Sequence, residues 1–360
     1  MTFEEARAAF PVLERLAYLN AGTNGPLARA TVEAMVAQEL VELAEGRAGA
    51  AFHARIRELR ERVREKVAGL IHVPSANLAL TASTTNGCNI VLEGLRLEPE
   101  DEVVTTDEEH FGLLGALHVS GATVRVAATR GLSGPEALQP LLDAVGPKTR
   151  LLALSHVSWV TGNLLPIAEL KRETGLPILV DGAQSGGALV VDATAYDYYT
   201  VSGQKWPCGP DSTGALYVRE PESLRVAAPS YLSQERFEPD GSFEPKAGAG
   251  RFDSGHVAPA LLVGLEAALD SAPEWRFEHA RETAERCREQ LAARYEVVTA
   301  PGQSTLVAFR PPGDPAKTVE RLAERGVVVR EIPGSGLVRV SVGYWTSDDD
   351  LRRLVDGLAA

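Results

Sequence analysis

Residues 178–218 read ILVDGAQSGGALVVDATAYDYYTVSGQKWPCGPDSTGALYV. The stretch opens with Ile178-Leu179-Val180, an apolar run short enough for a buried parallel strand, and the run ends on Asp181. In open α/β sheets, residues at the carboxyl end of such a strand face the ligand crevice. A second β-like run, Tyr198-Tyr199-Thr200-Val201, delivers Ser202-Gly203-Gln204-Lys205-Trp206 into the turn-rich Gly209-Pro210-Asp211. Taken alone, Asp181 and Lys205 are as well explained by a solvated strand-end acid and a surface lysine. Their setting says more. An acid at one strand end and a lysine at the next strand-to-turn junction is the pair that pyridoxal phosphate requires. The lysine forms the Schiff base, and the acid keeps the pyridine nitrogen protonated so that the ring accepts electrons.

Asp181-Gly182-Ala183-Gln184-Ser185 and Ser202-Gly203-Gln204-Lys205-Trp206, followed by the glycine-rich Gly209 to Leu216, resemble the cofactor site of the class V aminotransferase family. That family includes cysteine desulfurases, isopenicillin N epimerase-like proteins and cystine C–S lyases. The resemblance runs from Tyr18 to Leu358 with its motifs in the family's order. It implies an α/β protein of fold type I: a large domain around a mostly parallel seven-stranded sheet, and a smaller C-terminal α+β domain. The divisions expected are 1–17 for an N-terminal segment, 18–270 for the large domain and 271–360 for the small one.

Composition agrees with such a protein. A chain of 360 residues exceeds what one hydrophobic core usually serves. With 44% hydrophobic and 24% charged residues it has an ordinary globular composition. A net charge of −13 argues against a nucleic-acid partner, whose footprint is basic. No apolar run approaches a membrane span, and Met1 to Arg7 is an acidic amphipathic segment rather than a signal peptide. Cys88, Cys208 and Cys287 form neither a CxxC pair nor a metal spacing, which suits a reducing cytoplasm and a chain without metal.

Further motifs fall in order. Tyr18-Leu19-Asn20-Ala21-Gly22 is a turn whose glycine permits close backbone approach. By resemblance, Asn20 and Gly22 border the substrate carboxylate. Ala28 to Leu70 reads as two charged helices with solvated faces. After the β run Leu78 to Thr81, Ser83-Thr84-Thr85 lead into an apolar helix at Ile90 to Leu95. Hydroxyls there serve equally as an N-cap or as an anion site, and the resemblance favours the cofactor phosphate. The next run, Asp101 to Thr106, ends in Glu108-Glu109-His110, and the family's Glu-His motif places the histidine over the cofactor ring. Trp159, in the segment Ser155 to Gly162, resembles the cystine lyase and epimerase-like branches more than the desulfurases. Pro221 to Pro245 reads as a long polar loop. His256 stands where the family carries a threonine that reaches the neighbouring subunit's phosphate. Late β runs at Tyr295 to Val298, Ser304 to Phe309, Val327 to Arg330 and Val338 to Val342 mark the smaller domain, and the resemblance puts Arg339 on the substrate α-carboxylate.

The implied machinery is therefore Lys205 as Schiff-base lysine and general base, Asp181 at the ring nitrogen, Gln184 at the phenolic oxygen and His110 over the ring. Ser83, Thr84, Thr85, Ser202 and Gln204 hold the phosphate, with His256 across a homodimer interface. Asn20, Gly22, Trp159 and Arg339 meet an amino-acid substrate, expected to contain sulfur. A desulfurase carries a nucleophilic cysteine in the loop before the carboxylate arginine. Here that loop, Glu331 to Leu337, has none, so the expected reaction is α,β-elimination by a C–S lyase on cystine or a cysteine S-conjugate or sulfoxide. Transamination or epimerisation of an α-amino acid is the alternative.

Overall fold

Alternate residues of the central strands enter two different cores. The computed structural model describes residues 1–359, and in it seven runs form one sheet: β1 (Leu78–Thr81), β2 (Glu102–Thr106), β3 (Thr123–Ala127), β4 (Thr149–Ser155), β5 (Ile178–Asp181), β6 (Tyr198–Ser202) and β7 (Gly214–Val218). Along β4, Leu152 and Leu154 join one core while Leu151 and Ala153 join the other, and along β5 Ile178 and Val180 oppose Leu179 in the same way. Apolar side chains on both faces are what a sheet covered on both sides demands. The first core is closed by Gly49–Leu70, Gly134–Ala144, Ile167–Thr174 and Pro259–Asp270, the second by Thr84–Leu95 and Phe111–Val119.

Across the sheet the strand order is β1-β7-β6-β5-β4-β2-β3. Only β7 runs against its neighbours; the remaining pairs are parallel. This is the mostly parallel seven-stranded sheet expected from the sequence. Because β1, β2, β4, β5 and β6 share a direction, the chain after Thr81, Thr106, Ser155, Asp181 and Ser202 emerges along one edge, the edge where such sheets bind ligands.

A second sheet consists of β8 (Glu296–Val297), β9 (Leu306–Arg310), β10 (Arg330–Ile332) and β11 (Leu337–Ser341), antiparallel in the order β8-β9-β11-β10. Helices Arg276–Ala292, Pro315–Glu324 and Asp348–Ala359 pack on it. The N-terminal chain is tied to this part of the molecule. Ala17–Tyr18 pairs in parallel with Val327–Val328, the Ser341 N–H donates to the Leu19 carbonyl at 2.8 Å, and Arg7 meets Asp350 at 2.6 Å.

Three local readings are corrected. The run Val327 to Arg330 is not one strand, because Val328 pairs with Tyr18 while Arg330 pairs with Arg339. The polar stretch Pro221 to Pro245 contains a hairpin, Gln234–Phe237 against Phe243–Pro245. The helix Arg29–Glu45 does not present a purely charged outer face. Val32, Val36, Leu40 and Leu43 are exposed on it.

Asp253 fastens the edge of the large sheet. Its carboxylate accepts from Arg60 at 2.9 Å, from Arg64 at 2.8 and 3.0 Å, and from the Leu80 amide at 2.9 Å. Burial alone would raise its pKa, but the two guanidinium groups hold it below the usual carboxylate range. Asp253→Ala strips buried Arg60 of its partner and leaves Arg64 only Glu61 and the Leu78 carbonyl, and is expected to destabilise by about 3–5 kcal/mol. Urea unfolding at neutral pH checks this, and the difference should vanish as acid protonates Asp253 in the parent protein. The sign follows from its depressed folded pKa, whose stabilisation is lost as pH falls.

Candidate active site

The carboxyl edge of the large sheet gathers a buried polar row. Ser155 and Asp181, the last residues of β4 and β5, lie side by side with Thr200 in the middle of β6, and all three are buried. Glu109 closes the row, accepting from the Ser155 hydroxyl at 2.5 Å and from Thr106 at 2.7 Å. Burial pushes the Glu109 carboxyl up to about 7 despite these donors. Asp181 accepts from the Ala183 amide at 2.9 Å, so the strand-end acid is held by its own turn.

Lys205 stands opposite, in a turn built to hold it. The Cys208 amide donates to the Lys205 carbonyl at 3.1 Å, Gly209 N–H to Gly203 O at 2.9 Å, and Gly203 N–H to Thr213 O at 2.8 Å. Cys208 takes a left-handed conformation, φ 58°, which closes the turn. Protein surrounds the lysine on nearly all sides although its surface remains partly accessible, and burial lowers its pKa to about 8, against the pull of Asp181. A substantial fraction is therefore neutral amine near physiological pH, as a nucleophile and base requires.

His110 caps the helix Phe111–Val119, its Nδ1 accepting from the Gly112 amide at 3.0 Å. That bond puts the proton of the neutral ring on Nε2. One edge of the ring is open to solvent, but burial of the rest, and then the charge on Lys205, hold the pKa below the ordinary histidine value. Trp159 packs edge-on against the ring, centroids 5.1 Å apart at 88°.

The small sheet contributes positive charge. Arg339 on β11 is fully buried; one nitrogen donates to the Trp159 carbonyl at 2.7 Å, while Nε and Nη2 have no partner. Burial, and then the charge of Arg330, push it down to about 9. Arg330 is directly opposite Arg339 in the β10–β11 register. Like charges at such a position repel and cost stability. Arg330 also donates to Thr23 at 2.9 Å and lies over the Trp159 ring at 5.9 Å.

Gly22 lines the same hollow. A Cβ there would come within 2.8 Å of Arg339 Nη2, 2.9 Å of Ser341 Oγ and 3.0 Å of Gln184 Oε1. Ser341 Oγ is likewise buried without a partner. The space a methyl group would fill thus borders three polar atoms, two of them unpaired, and an anion fits it. Asn20, which accepts from Thr23 at 2.9 Å, bridges to Ser341 beside it.

At the other end of the hollow, the helix Thr84–Leu95 begins with Ser83 as its N-cap, accepting from Asn86 at 3.1 Å. The helix starts a turn and a half earlier than its apolar run suggested, so Thr84 and Thr85 occupy its first turn. Amides there have no intrahelical acceptor and favour an anion. Ser202 ends β6 nearby in the sequence of the turn, and Gln204 Oε1 is buried without a partner.

The expected residues are thus brought to one edge, with two differences. Gln184 is already engaged: Nε2 donates to the Gly22 carbonyl at 2.8 Å and Oε1 accepts from Trp206 Nε1 at 3.1 Å. His256 lies apart, exposed and stacked on Tyr231 with ring centroids 6.2 Å apart. Sequence reading missed Arg330 and the unpaired Ser341. The β run holding Arg330 was legible, but its register against Arg339 was not. Among the described residues, no group of three His, Cys, Asp or Glu side chains is placed to hold a metal.

Two outcomes are expected. Arg339→Met removes a buried, incompletely paired charge, so it should stabilise the ligand-free protein by roughly 1–3 kcal/mol while abolishing affinity for amino-acid carboxylates; melting curves with and without amino acid read both. Lys205 has a folded pKa of about 8 against an ordinary 10.5, so the unfolded chain binds more protons between these values and stability from this group rises with pH across them. In cofactor-free protein, Lys205→Met should therefore raise the melting temperature at pH 7, and the gain should shrink towards pH 10.5.

Comparison with known proteins agrees with this geometry. The family model described as aminotransferase class-V matches residues 17–354. Isopenicillin N epimerase of Streptomyces clavuligerus is 30% identical over 408 residues, covering 99% of this chain and 98% of that protein. The cysteine desulfurase CsdA of Escherichia coli K12 is 29% identical, covering 98% and 96%. Among solved structures, a lysine-to-alanine mutant of C-DES with glycine covalently linked to its pyridoxal phosphate cofactor superposes with a TM-score of 0.90 at 29% identity, covering 98% of each chain. The cystine C–S lyase C-DES in complex with its product, cysteine persulfide, gives 0.88 at 29% identity, covering 97% and 99%.

Proposed function

The chain belongs to the class V aminotransferase family of pyridoxal phosphate-dependent enzymes, and from that premise we propose that it is a carbon–sulfur lyase performing α,β-elimination on cystine or a cysteine S-conjugate or sulfoxide. The observation that carries this reading is the state of its thiols. A desulfurase needs an accessible thiolate to take up the substrate sulfur. Cys88, Cys208 and Cys287 are all buried, and burial raises the pKa of each, that of Cys287 to about 12. The segment Glu331 to Leu337, which leads to Arg339, contains no cysteine. Three unpaired buried thiols also fit a reducing, cytoplasmic setting.

In this reading Arg339 and Arg330 bind the α-carboxylate, Arg339 through the two nitrogens that lack partners, with Gly22 leaving the room and Asn20 and Ser341 bordering it. Ser83, Thr84, Thr85, Ser202 and Gln204 would hold the cofactor phosphate, Asp181 would keep the pyridine nitrogen protonated, Gln184 would reach the phenolic oxygen and His110 would cover the ring. Bound there, pyridoxal phosphate supplies an electron sink conjugated to the substrate α-carbon. Lys205 Nζ, neutral in part at pH 7, takes the α-proton. His110 holds a proton on Nε2 that can pass to the departing sulfur. The Cβ–S bond breaks, and with one water consumed the products are pyruvate and ammonia together with a thiol from an S-conjugate, a sulfenic acid from a sulfoxide, or a persulfide from cystine.

A homodimer completes the proposal, with His256 serving the neighbouring subunit's phosphate and the exposed apolar face of Arg29–Glu45 available for burial between subunits.

The deciding assay uses cofactor-loaded protein with L-cystine, L-cysteine, S-alkyl cysteines and ordinary amino acids. Pyruvate appearing in step with sulfur release from cystine or an S-conjugate is expected. Lys205→Ala should lower its rate by about a thousandfold. A keto acid formed without sulfur release, or racemised substrate, would replace this reading with transamination or epimerisation.

A further inference from the structure

A cavity of about 420 Å³ opens beyond Trp159, at the seam between the two sheets. Glu108, Arg130, Trp159, Thr161, Arg310 and Ile332 are among its lining residues. Trp159 is the partition: its ring packs on His110, its carbonyl holds Arg339 and its side chain walls the cavity.

Its wall is incompletely satisfied. Glu108 is 8% exposed. Oε2 accepts from Ser158 at 2.6 Å and Thr161 at 3.2 Å, and the Gly131 amide lies close enough to the carboxyl to help lower its pKa, but Oε1 is buried with no hydrogen bond of good geometry. Most buried polar atoms are paired, and leaving a carboxylate oxygen unpaired is costly. The nearby cations do not supply the missing bond. Arg130 donates to the Asp107 carbonyl at 3.1 Å and Arg310 to Glu296 at 3.2 Å. What would satisfy Oε1 is a donor, ideally a cation, brought in by the ligand.

We infer that this cavity receives the far end of the substrate, and that Glu108 selects a side chain ending in an ammonium group. Resting on the lyase reading above, the inference narrows the substrate class to cysteines whose sulfur substituent carries a distal amine. Cystine is the symmetrical member of that class. Its second carboxylate would find Arg130 and Arg310, both exposed, at the cavity wall. Burial raises the Glu108 pKa, and an incoming ammonium would favour its carboxylate form.

The test measures binding without turnover. In cofactor-loaded Lys205→Ala protein, Kd is read from the cofactor absorbance for two disulfides of cysteine with the same chain length, ending in aminoethyl or propyl groups. The aminoethyl compound is expected to bind at least about tenfold more tightly than the propyl one, the size of a charge-assisted hydrogen bond. Adding Glu108→Gln should bring the aminoethyl and propyl values together. The inference is overturned if the propyl compound matches the aminoethyl one in the Lys205→Ala protein, or if the preference survives Glu108→Gln. The ligand series alone decides the matter should the double variant fail to fold. Failure of the lyase reading shows separately, as an absence of pyruvate from any sulfur compound with the unsubstituted enzyme.

Discussion

Uncompensated positive charge is the constraint on which this site depends. Lys205, Arg330 and Arg339 converge on one hollow, and the acid acting directly on Lys205 is Asp181. Two of the cations sit opposite each other on adjacent strands, an arrangement that folding alone disfavours. The protein as a whole carries a net charge of −13, so the concentration of cations here is local and opposed to the general field. Anionic guests relieve the repulsion, and a phosphate-bearing cofactor with an amino-acid carboxylate supplies that relief. Burial is the larger cause of the lowered pKa of Lys205, and the two arginines add to it.

Geometry and electrostatics cooperate because the two sheets do different work. The large parallel sheet lines up Ser155, Asp181 and Thr200 at one edge, and rigid strands hold such groups more closely than loops do. The small antiparallel sheet brings the arginines. Gly22 sits between, on a chain segment hydrogen-bonded to the small sheet yet touching Gln184 of the large one. No single element contains the site.

Much of this was legible in the order of residues. Asp181 follows a three-residue apolar run, and Lys205 follows the next β run in a glycine- and proline-rich turn, so local pattern made both candidates and the resemblance of the surrounding motifs supplied their expected roles. The parallel sheet followed from the alternation of short apolar runs with helical stretches. Arg330 was not legible in the same way. It is two residues from Val328, yet the two pair with opposite ends of the chain, and register between distant strands leaves no local trace. Glu108 was hidden for a related reason: its importance lies in an oxygen without a partner, a property of the packed interior. The exposed valines and leucines of Arg29–Glu45 were masked by their many charged neighbours in the sequence.

The pairing of Ala17–Tyr18 with Val327–Val328 also orders events during synthesis. A chain made from its N-terminus must hold these residues, with the buried Leu19, without their strand partner until more than three hundred later residues have been added. The large sheet can form meanwhile, because its last strand ends at Val218. The carboxylate-binding hollow cannot, since Gly22 and Arg339 stand near opposite ends of the translated chain. Until Val327 is made, the apolar N-terminal thread has no strand partner, the condition in which chaperones engage nascent chains.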